Sequence, residues 1–315
     1  MGVSVVESIV KLLTYEGAKI QDDLWLKPIL QVEGQVALAM TALCSTRIRR
    51  NVDMWLPSVD PNSHKRGLHF ERHLESQFHE WKSVNSVLGR HLTWTGACKP
   101  AYDKRTEEID LSFSFGDVLV VVEARSRRIP ITPLDYYNAI HEKESGIYKK
   151  VYQAERKARF VQDNLSEFVA EFYPHLQSRL ADIKVCPLVI INDQFHAGFP
   201  CGTTPVLDEH LLGQFLGDGK VSFLGYTKAS AKFSIVLYEN LAQAEAIFCD
   251  YALRPTIIES YVLTLREHVN VQRIAEHEPP LHWYNYEITL PASESELKSV
   301  LNQLSLGILV EKPEP

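Results

Sequence analysis

EEIDLSFSFGDVLVVVEARSRR, residues 107–128, carries the clearest structural pattern in this chain. Its first half alternates apolar residues with Asp110 and two serines, a period of two that predicts a strand with one apolar and one polar face. Gly116-Asp117 predicts a turn. The run 118–124 is almost continuously apolar and β-branched, which predicts a strand buried on both faces. The stretch is therefore expected to form a β-hairpin.

Two carboxylates are predicted to meet beside this hairpin. Glu123 lies at the end of the apolar second strand, where a carboxylate is costly to bury unless something binds it. Asp110 lies on the first strand, and a hairpin that closes at Gly116-Asp117 brings it beside Glu123. Arg125 has the same parity as Glu123, so both side chains point to one face of the strand. Two converging carboxylates beside a cation suit a divalent metal ion and a phosphate.

At these residues the sequence resembles the PD-(D/E)XK, or restriction-endonuclease-like, nuclease superfamily. The core motif of that family is an acid on one strand and Asp/Glu-x-Lys on the next, and here Asp110 and Glu123-Ala124-Arg125 match it. Family members often carry Gly-x-x-Phe-Glu on an upstream helix, and this chain has Gly67-Leu68-His69-Phe70-Glu71. The resemblance covers about residues 64–195.

The resemblance implies a metal-dependent nuclease and a set of site residues. Many family members also have a Gln or Lys on the helix after the hairpin, where this chain offers Lys149, Lys150 and Gln153. The metal ligands for Mg²⁺, or Mn²⁺, are then Asp110, Glu123 and Glu71. The implied catalytic set is Asp110, Glu123, Arg125, Glu71, Lys150 and Gln153.

Arg125 stands where the family motif has lysine. Lysine can position or deprotonate a water molecule, whereas arginine stays protonated and cannot act as a base, although it can hold a phosphate. Two explanations stay open. Either the lysine has moved to another element, with Lys150 as the candidate, or the site binds nucleic acid without cutting it.

Composition bounds the partners of the chain. With 315 residues and 45% hydrophobic composition it can bury a large core, and its net charge of −7 and pI of about 6.0 are not those of a basic nucleic-acid binder. Nucleic-acid binding is therefore expected from a local patch, or the same cations form an ordinary solvated helix face. The predicted nucleic-acid-binding residues are Arg127, Arg128, Lys149 and Lys157.

The five cysteines are dispersed and form no C-x-x-C pair, which is expected for reduced thiols in the cytoplasm. The N-terminal segment has no basic region before its apolar stretch, and Glu7 interrupts that stretch, so it predicts an amphipathic helix rather than a signal peptide. No apolar run is long enough to span a bilayer, and we expect no membrane insertion.

The chain is predicted to contain three regions. Residues 1–60 are expected to be helical, with one helix over 32–50 and a connector over 56–62. Residues 61–200 are expected to form the nuclease-like core, an α/β structure with a mixed central sheet flanked by helices. Residues 201–315 are expected to form an α+β region of unknown role, with a helix over 293–304.

Within the core, two helices and a strand are predicted from their apolar patterns. Phe70, Leu74, Phe78 and Trp81 recur at helical spacing. A longer apolar stripe runs from Ile147 to Phe168 and predicts one continuous helix. KVCPLVII, residues 184–191, predicts a buried strand in which Pro187 marks an edge or a bulge.

Three functional hypotheses stay open at this stage. The first is a metal-dependent nuclease, with DNA favoured over RNA, in restriction, phage defence or repair. The second is a nucleic-acid-binding protein on the same fold that has lost cleavage. The third is a scaffold that binds a partner protein of a defence or repair system. A homodimer is also expected under the first hypothesis, because one such site cuts one strand.

Overall fold

The computed structural model of the chain describes residues 3–17, 23–44, 48–59, 65–130, 133–223, 233–272, 281–288, 299 and 309–311. As predicted, it is an α/β structure with a five-stranded mixed sheet flanked by helices. It divides into two compact units, Met1–Leu68 with Arg127–Ile131, and His69–Ser126 with Thr132–Pro315. The domain boundaries predicted at residues 60 and 200 stay predictions.

The central sheet belongs to the second unit. Its strands, in spatial order, are β3 (Thr93–Thr95), β6 (Leu111–Phe115), β7 (Val118–Arg125), β8 (Lys184–Ile191) and β9 (Val206–Asp208). The first three strands are antiparallel, and β8 and β9 extend the sheet in parallel. Two short strands, β4 (Ala101–Tyr102) and β5 (Arg105–Thr106), form a separate hairpin before β6.

The predicted hairpin is confirmed as β6 and β7, which pair from Leu111–Val122 to Phe115–Val118. Gly116 turns the chain with a φ of 53°, in the region that favours glycine. The polar face of β6 does not meet solvent. Ser112 is fully buried and its hydroxyl lies 2.7 Å from the hydroxyl of Tyr173. Helices therefore cover both faces of this hairpin, and its buried polar groups are paired inside the protein.

Helices α5 (Pro133–His141), α6 (Ile147–Asp163) and α7 (Leu165–Phe172) connect the parallel strands β7 and β8. Such a connection is what parallel pairing requires. The prediction of a single helix from Ile147 to Phe168 is wrong in one respect, since the helix is interrupted at Asn164. There the side chain of Asn164 donates to the carbonyl of Phe160 at 2.8 Å, so a local side-chain bond competes with the helical ladder.

Two apolar clusters cover the two faces of the sheet. The larger includes the buried face of α4 (Arg66–Val84), on which all four predicted core residues are buried, together with α8 (Glu209–Gly213), a π-helical turn over Gln214–Asp218 and α9 (Leu241–Leu253). The smaller contains the C-terminal half of α6, α7 and a 3-10 turn over Pro174–Arg179. Along β7, Val120 and Val122 face the larger cluster, and Leu119 and Val121 face the smaller.

The first unit differs from the predicted helical region. Helix α1 (Val3–Leu13) is followed by a hairpin of β1 (Ile29–Val32) and β2 (Gln35–Leu38), then by α2 (Met40–Cys44) and α3 (Ile48–Val59). The helix predicted over 32–50 is wrong, because Glu33 and Gly34 adopt φ of 50° and 79° and turn the chain into the hairpin. The connector predicted over 56–62 is wrong over its first half, which belongs to α3.

The remaining strands and helices lie after residue 219. They are β10 Lys220–Phe223, β11 Phe233–Val236, α10 Thr256–Thr264, β12 Leu265–Gln272, β13 Leu281–Ile288 and β14 Leu309–Glu311. The helix predicted over 293–304 lies outside the described residues, apart from residue 299. None of the helices in the described part of the chain combines the length and the apolar composition needed to cross a membrane.

Candidate functional site

Asp110 and Glu123 meet at the C-terminal end of β7, as the hairpin predicts. Asp110 directly precedes β6, and the β6–β7 register, extended by one pair beyond Leu111–Val122, places it opposite Glu123. One carboxylate oxygen of Asp110, Oδ2, accepts a hydrogen bond from the backbone N–H of Ala124 at 2.8 Å. Glu123 is only 3% exposed. A carboxylate buried to this extent requires a cation or several donors around it.

Lys157 of α6 supplies that cation. Its ammonium group lies 2.8 Å from Oδ1 of Asp110 and 2.5 Å from Oε2 of Glu123. A second lysine, Lys150, lies with its Nζ 2.6 Å from Oε1 of Glu123. All four oxygens of the two carboxylates therefore accept from protein donors, three bonds coming from lysines and one from the backbone of Ala124.

The two lysines reach the acids because of their spacing on α6. Positions 150 and 157 are two helical turns apart and share a face, and α6 packs across β7 and β8. Gln153 lies between them on the same side of the helix. Its Oε1 is buried and has no hydrogen-bond partner within the described residues. The site therefore contains one spare acceptor beside its four satisfied carboxylate oxygens.

The pKa values show which charges oppose each other. Burial, and then the charge of Glu123, raise the pKa of Asp110, while Lys157 opposes that rise. Burial alone lowers the pKa of Lys157, but Asp110 and Glu123 outweigh it and the net shift is upward. Glu71, on α4, has a raised pKa because of burial and then because of Asp110. Three carboxylates thus share this region with two ammonium groups.

The charges of this site affect the pKa of Glu71, but Glu71 is not arranged with Asp110 and Glu123 as a third metal ligand. Within the described residues, no group of three or more His, Cys, Asp or Glu side chains is arranged to hold a metal ion. Glu71 is half-buried, and it senses Asp110 and Glu123 through their charges. A cation at this site would have two direct carboxylate ligands.

Arg125 and the predicted nucleic-acid-binding cations occupy different environments. Arg125 is half-buried at the end of β7, on the face that parity gives to Glu123. Arg127 is only 9% exposed, whereas Arg128 is exposed and Lys149 is half-buried. Lys157 is 5% exposed and lies between the acids. Arg127 and Lys157 are therefore buried, and the assignment of Arg127, Arg128, Lys149 and Lys157 to nucleic-acid binding stays a prediction.

Sequence reasoning missed Lys157 as the central cation. One of its two alternatives was a lysine on another element, with Lys150 as the candidate, and of the two acids Lys150 contacts Glu123. The signal was available in the spacing, since Lys157 lies seven residues after Lys150 and four after Gln153 on one helical stripe. The sequence does not show where α6 lies along the sheet. That position determines which turn of the helix contacts Asp110 and Glu123.

The donor chemistry of the site fits a Mg²⁺ ion. Mg²⁺ in proteins is commonly held by one or two carboxylates and keeps several water molecules. Asp110 and Glu123 already converge on a single cationic atom, Nζ of Lys157, and Gln153 has an unpartnered buried oxygen on the same helix face. A metal ion would take the place of the lysine ammonium group, so the two cations compete for the same carboxylates.

Comparisons of the chain with protein-family models, with curated proteins and with solved structures find no match.

Proposed function

We propose that this chain has a restriction-endonuclease-like core and hydrolyses phosphodiester bonds of nucleic acid, with DNA favoured over RNA, in a reaction that depends on Mg²⁺ or Mn²⁺. The order of elements supports this proposal: an upstream helix with Glu71, an antiparallel hairpin with the two acids, a helical crossover and a parallel strand. The family motif requires the same order.

The observation that carries the proposal is the convergence of Asp110 and Glu123 on Lys157. The motif requires two acids and a lysine. On β7, Arg125 occupies the position at which the motif has its lysine. The ammonium group of Lys157 reaches the same pair of acids from α6. Three groups of the kinds that the motif requires thus lie together, and they come from the start of β6, the end of β7 and α6.

Each residue has a distinct task in the proposed reaction. When bound, Mg²⁺ lowers the pKa of a water molecule and neutralises charge on the phosphate. Asp110 and Glu123 would hold that cation, and the ammonium group of Lys157 would hold a phosphate oxygen or orient the attacking water. Lys150 stabilises negative charge at the scissile phosphate. Glu71, whose pKa is raised by burial and by the charge of Asp110, holds a proton more readily than an exposed glutamate and is suited to proton exchange at the site.

The test is cleavage of plasmid DNA, single-stranded DNA and RNA with Mg²⁺, Mn²⁺ or EDTA. We expect metal-dependent cleavage by the native chain and a loss of at least about 100-fold in Asp110→Asn and Glu123→Gln, the scale of removing one charge-stabilising group. Glu107→Gln is the matched control, since Glu107 pairs with the exposed Arg156 at 2.8 Å and lies outside the site. Cleavage that survives both acid substitutions would contradict the proposal.

A second candidate, binding without cleavage, is favoured by the satisfied state of the carboxylates. All four oxygens already have protein donors, and arginine replaces the motif lysine. Such a site would bind DNA tightly and in a salt-sensitive way without cutting it in any metal. Fluorescence anisotropy with labelled duplex DNA over a range of salt concentrations separates the two candidates when it is run beside the cleavage assay.

The proposed setting is restriction, phage defence or repair, which the family resemblance alone suggests. Cutting both strands of a duplex with one site per chain requires two copies, so a nuclease acting on double-stranded DNA is expected to dimerise on its substrate. Analytical ultracentrifugation with and without duplex DNA tests this. A monomer that nevertheless cuts both strands in one encounter would contradict the dimer.

A further inference from the structure

Two of the dispersed cysteines meet in the folded chain. Cys186 lies on β8 and Cys249 on α9, and their sulfur atoms are 3.1 Å apart. Both residues are half-buried. The scattered cysteine pattern predicts isolated reduced thiols, whereas the fold brings these two together across 63 positions of the chain.

The neighbouring elements hold the two thiols in place. Cys186 pairs with Val120 of β7 and precedes the part of β8 that β9 covers, which begins at Val189. Cys249 follows the buried Phe248, by which α9 packs against the sheet. One turn earlier on α9, Glu245 accepts a hydrogen bond from the backbone N–H of Asp117 at 2.7 Å, at the turn of the central hairpin. The helix is therefore anchored directly beside Cys249 and again one turn before it.

We propose that Cys186 and Cys249 form a reversible dithiol–disulfide site that hydroperoxides oxidise and small thiols reduce. A disulfide has an S–S distance of about 2.05 Å, so bond formation requires the two sulfur atoms to approach by about 1 Å. Side-chain rotation of two half-buried residues supplies such a movement without a change in the fold. The site depends on thiol geometry alone and is independent of the proposed nuclease activity.

The two thiols have unequal roles. A hydrogen bond from Cys186 lowers the pKa of Cys249 to about 7, against the effect of burial, whereas the same bond raises the pKa of Cys186. Burial raises the pKa of Cys98 to about 11. Cys249 is therefore the nucleophile, because the thiolate is the reactive form and a thiol with a pKa near the ambient pH attacks best.

The reaction balances with one hydroperoxide per site. The Cys249 thiolate attacks one oxygen of hydrogen peroxide, breaks the O–O bond and becomes a sulfenic acid, while the leaving hydroxide takes up a proton to give water. The sulfur of Cys186 then attacks the sulfenic sulfur, and the hydroxyl leaves with the proton of Cys186 as a second water. The two thiols lose two electrons and the peroxide gains them.

The test is limited oxidation of the folded full-length chain with hydrogen peroxide, followed by thiol counting and peptide mapping by mass spectrometry. We expect the five free thiols to fall to three, a single Cys186–Cys249 cross-linked peptide, and recovery of all five after dithiothreitol. Cys186→Ser should stop the reaction at a Cys249 sulfenic acid that dimedone traps. Cys44→Ser, which removes an exposed cysteine, is the matched control and should leave the cross-link unchanged.

Several results would overturn the proposal. Retention of all five thiols under conditions that oxidise free cysteine would do so. A cross-link between any other pair, or a link between chains in place of the internal one, would also do so. If Cys186→Ser gave no more dimedone adduct at Cys249 than at Cys44, the assignment of the nucleophile would be wrong.

Discussion

Replacing Lys157 with methionine tests the central site through stability, without any assumption about substrate. Methionine is close to lysine in length but carries no charge, so the substitution leaves Asp110 and Glu123 facing each other without their shared cation. Lys157 is 5% exposed and Glu123 is 3% exposed, so little water can replace the lost ammonium group. The perturbation is thus the removal of one partner from a buried ion pair.

The expected cost follows from that burial. Breaking a buried pair by removing one partner destabilises a protein by about 3–5 kcal/mol, because an uncompensated charge is left inside. Lys150 still neutralises part of the charge of Glu123, at 2.6 Å, and Ala124 still donates to Asp110. We therefore expect Lys157→Met to lower the free energy of unfolding by about 3 kcal/mol at pH 7.5, near the lower end of that range.

The loss of unfolding free energy in Lys157→Met should be larger at high pH than at low pH. Without Lys157, the folded-state pKa of Asp110 rises further above its unfolded value of about 4. Between the unfolded-state pKa and the folded-state pKa, the folded variant binds more protons than the unfolded chain. Its stability therefore falls as the pH rises through that interval. The difference from the native chain should therefore be smaller at pH 5 than at pH 7.5.

Urea unfolding followed by tryptophan fluorescence at pH 5.0 and pH 7.5 measures both quantities. Arg159→Met is the control, since Arg159 lies on the exposed side of the same helix and its loss should change stability by no more than about 0.5 kcal/mol. A loss of less than about 1 kcal/mol for Lys157→Met, with no pH dependence, is typical of an exposed ion pair and would falsify the buried-pair interpretation.

Three further predictions concern the hairpin and the thiol pair. Tyr173→Phe should cost about 1–3 kcal/mol in urea unfolding, because it leaves the buried Ser112 hydroxyl without its 2.7 Å partner; no loss would mean that water takes its place. Gly116→Ala should cost about 2–3 kcal/mol, since alanine at a φ of 53° is strained and its Cβ would overlap the Glu245 carboxylate; an unchanged midpoint would contradict this. The rate of Cys249 alkylation by iodoacetamide should rise with a midpoint near pH 7 and shift to higher pH in Cys186→Ala; equal midpoints would exclude the hydrogen bond as the cause.

The hairpin and the meeting of its acids were predictable because both are local. A turn at Gly116 and a register along two adjacent strands determine which residue lies opposite Glu123, and no distant part of the chain takes part in that pairing. The strand over 184–191 was equally clear, because a short apolar run between polar segments has few alternatives. The structure reproduces both, with the bounds Val118–Arg125 and Lys184–Ile191.

The errors occur where local preference and tertiary packing disagree. Residues 32–50 contain many good helix formers, yet positive φ angles at Glu33 and Gly34 turn the chain into a hairpin. The long helical stripe that ends at Phe168 has uninterrupted apolar periodicity, yet the side chain of Asn164 ends α6 by bonding to Phe160. In both cases one or two residues override the average tendency of their neighbours.

Lys157 links the stability of this site to the function that we propose for it. Burial raises the pKa of Asp110, and two buried carboxylates side by side require a cation, which the chain provides from α6. Under the proposed function, a divalent metal ion would take the place of the ammonium group between the same carboxylates, and the lysine would then be available to a phosphate. The proposal thus accounts for a lysine at the site although arginine stands at the motif position on the strand.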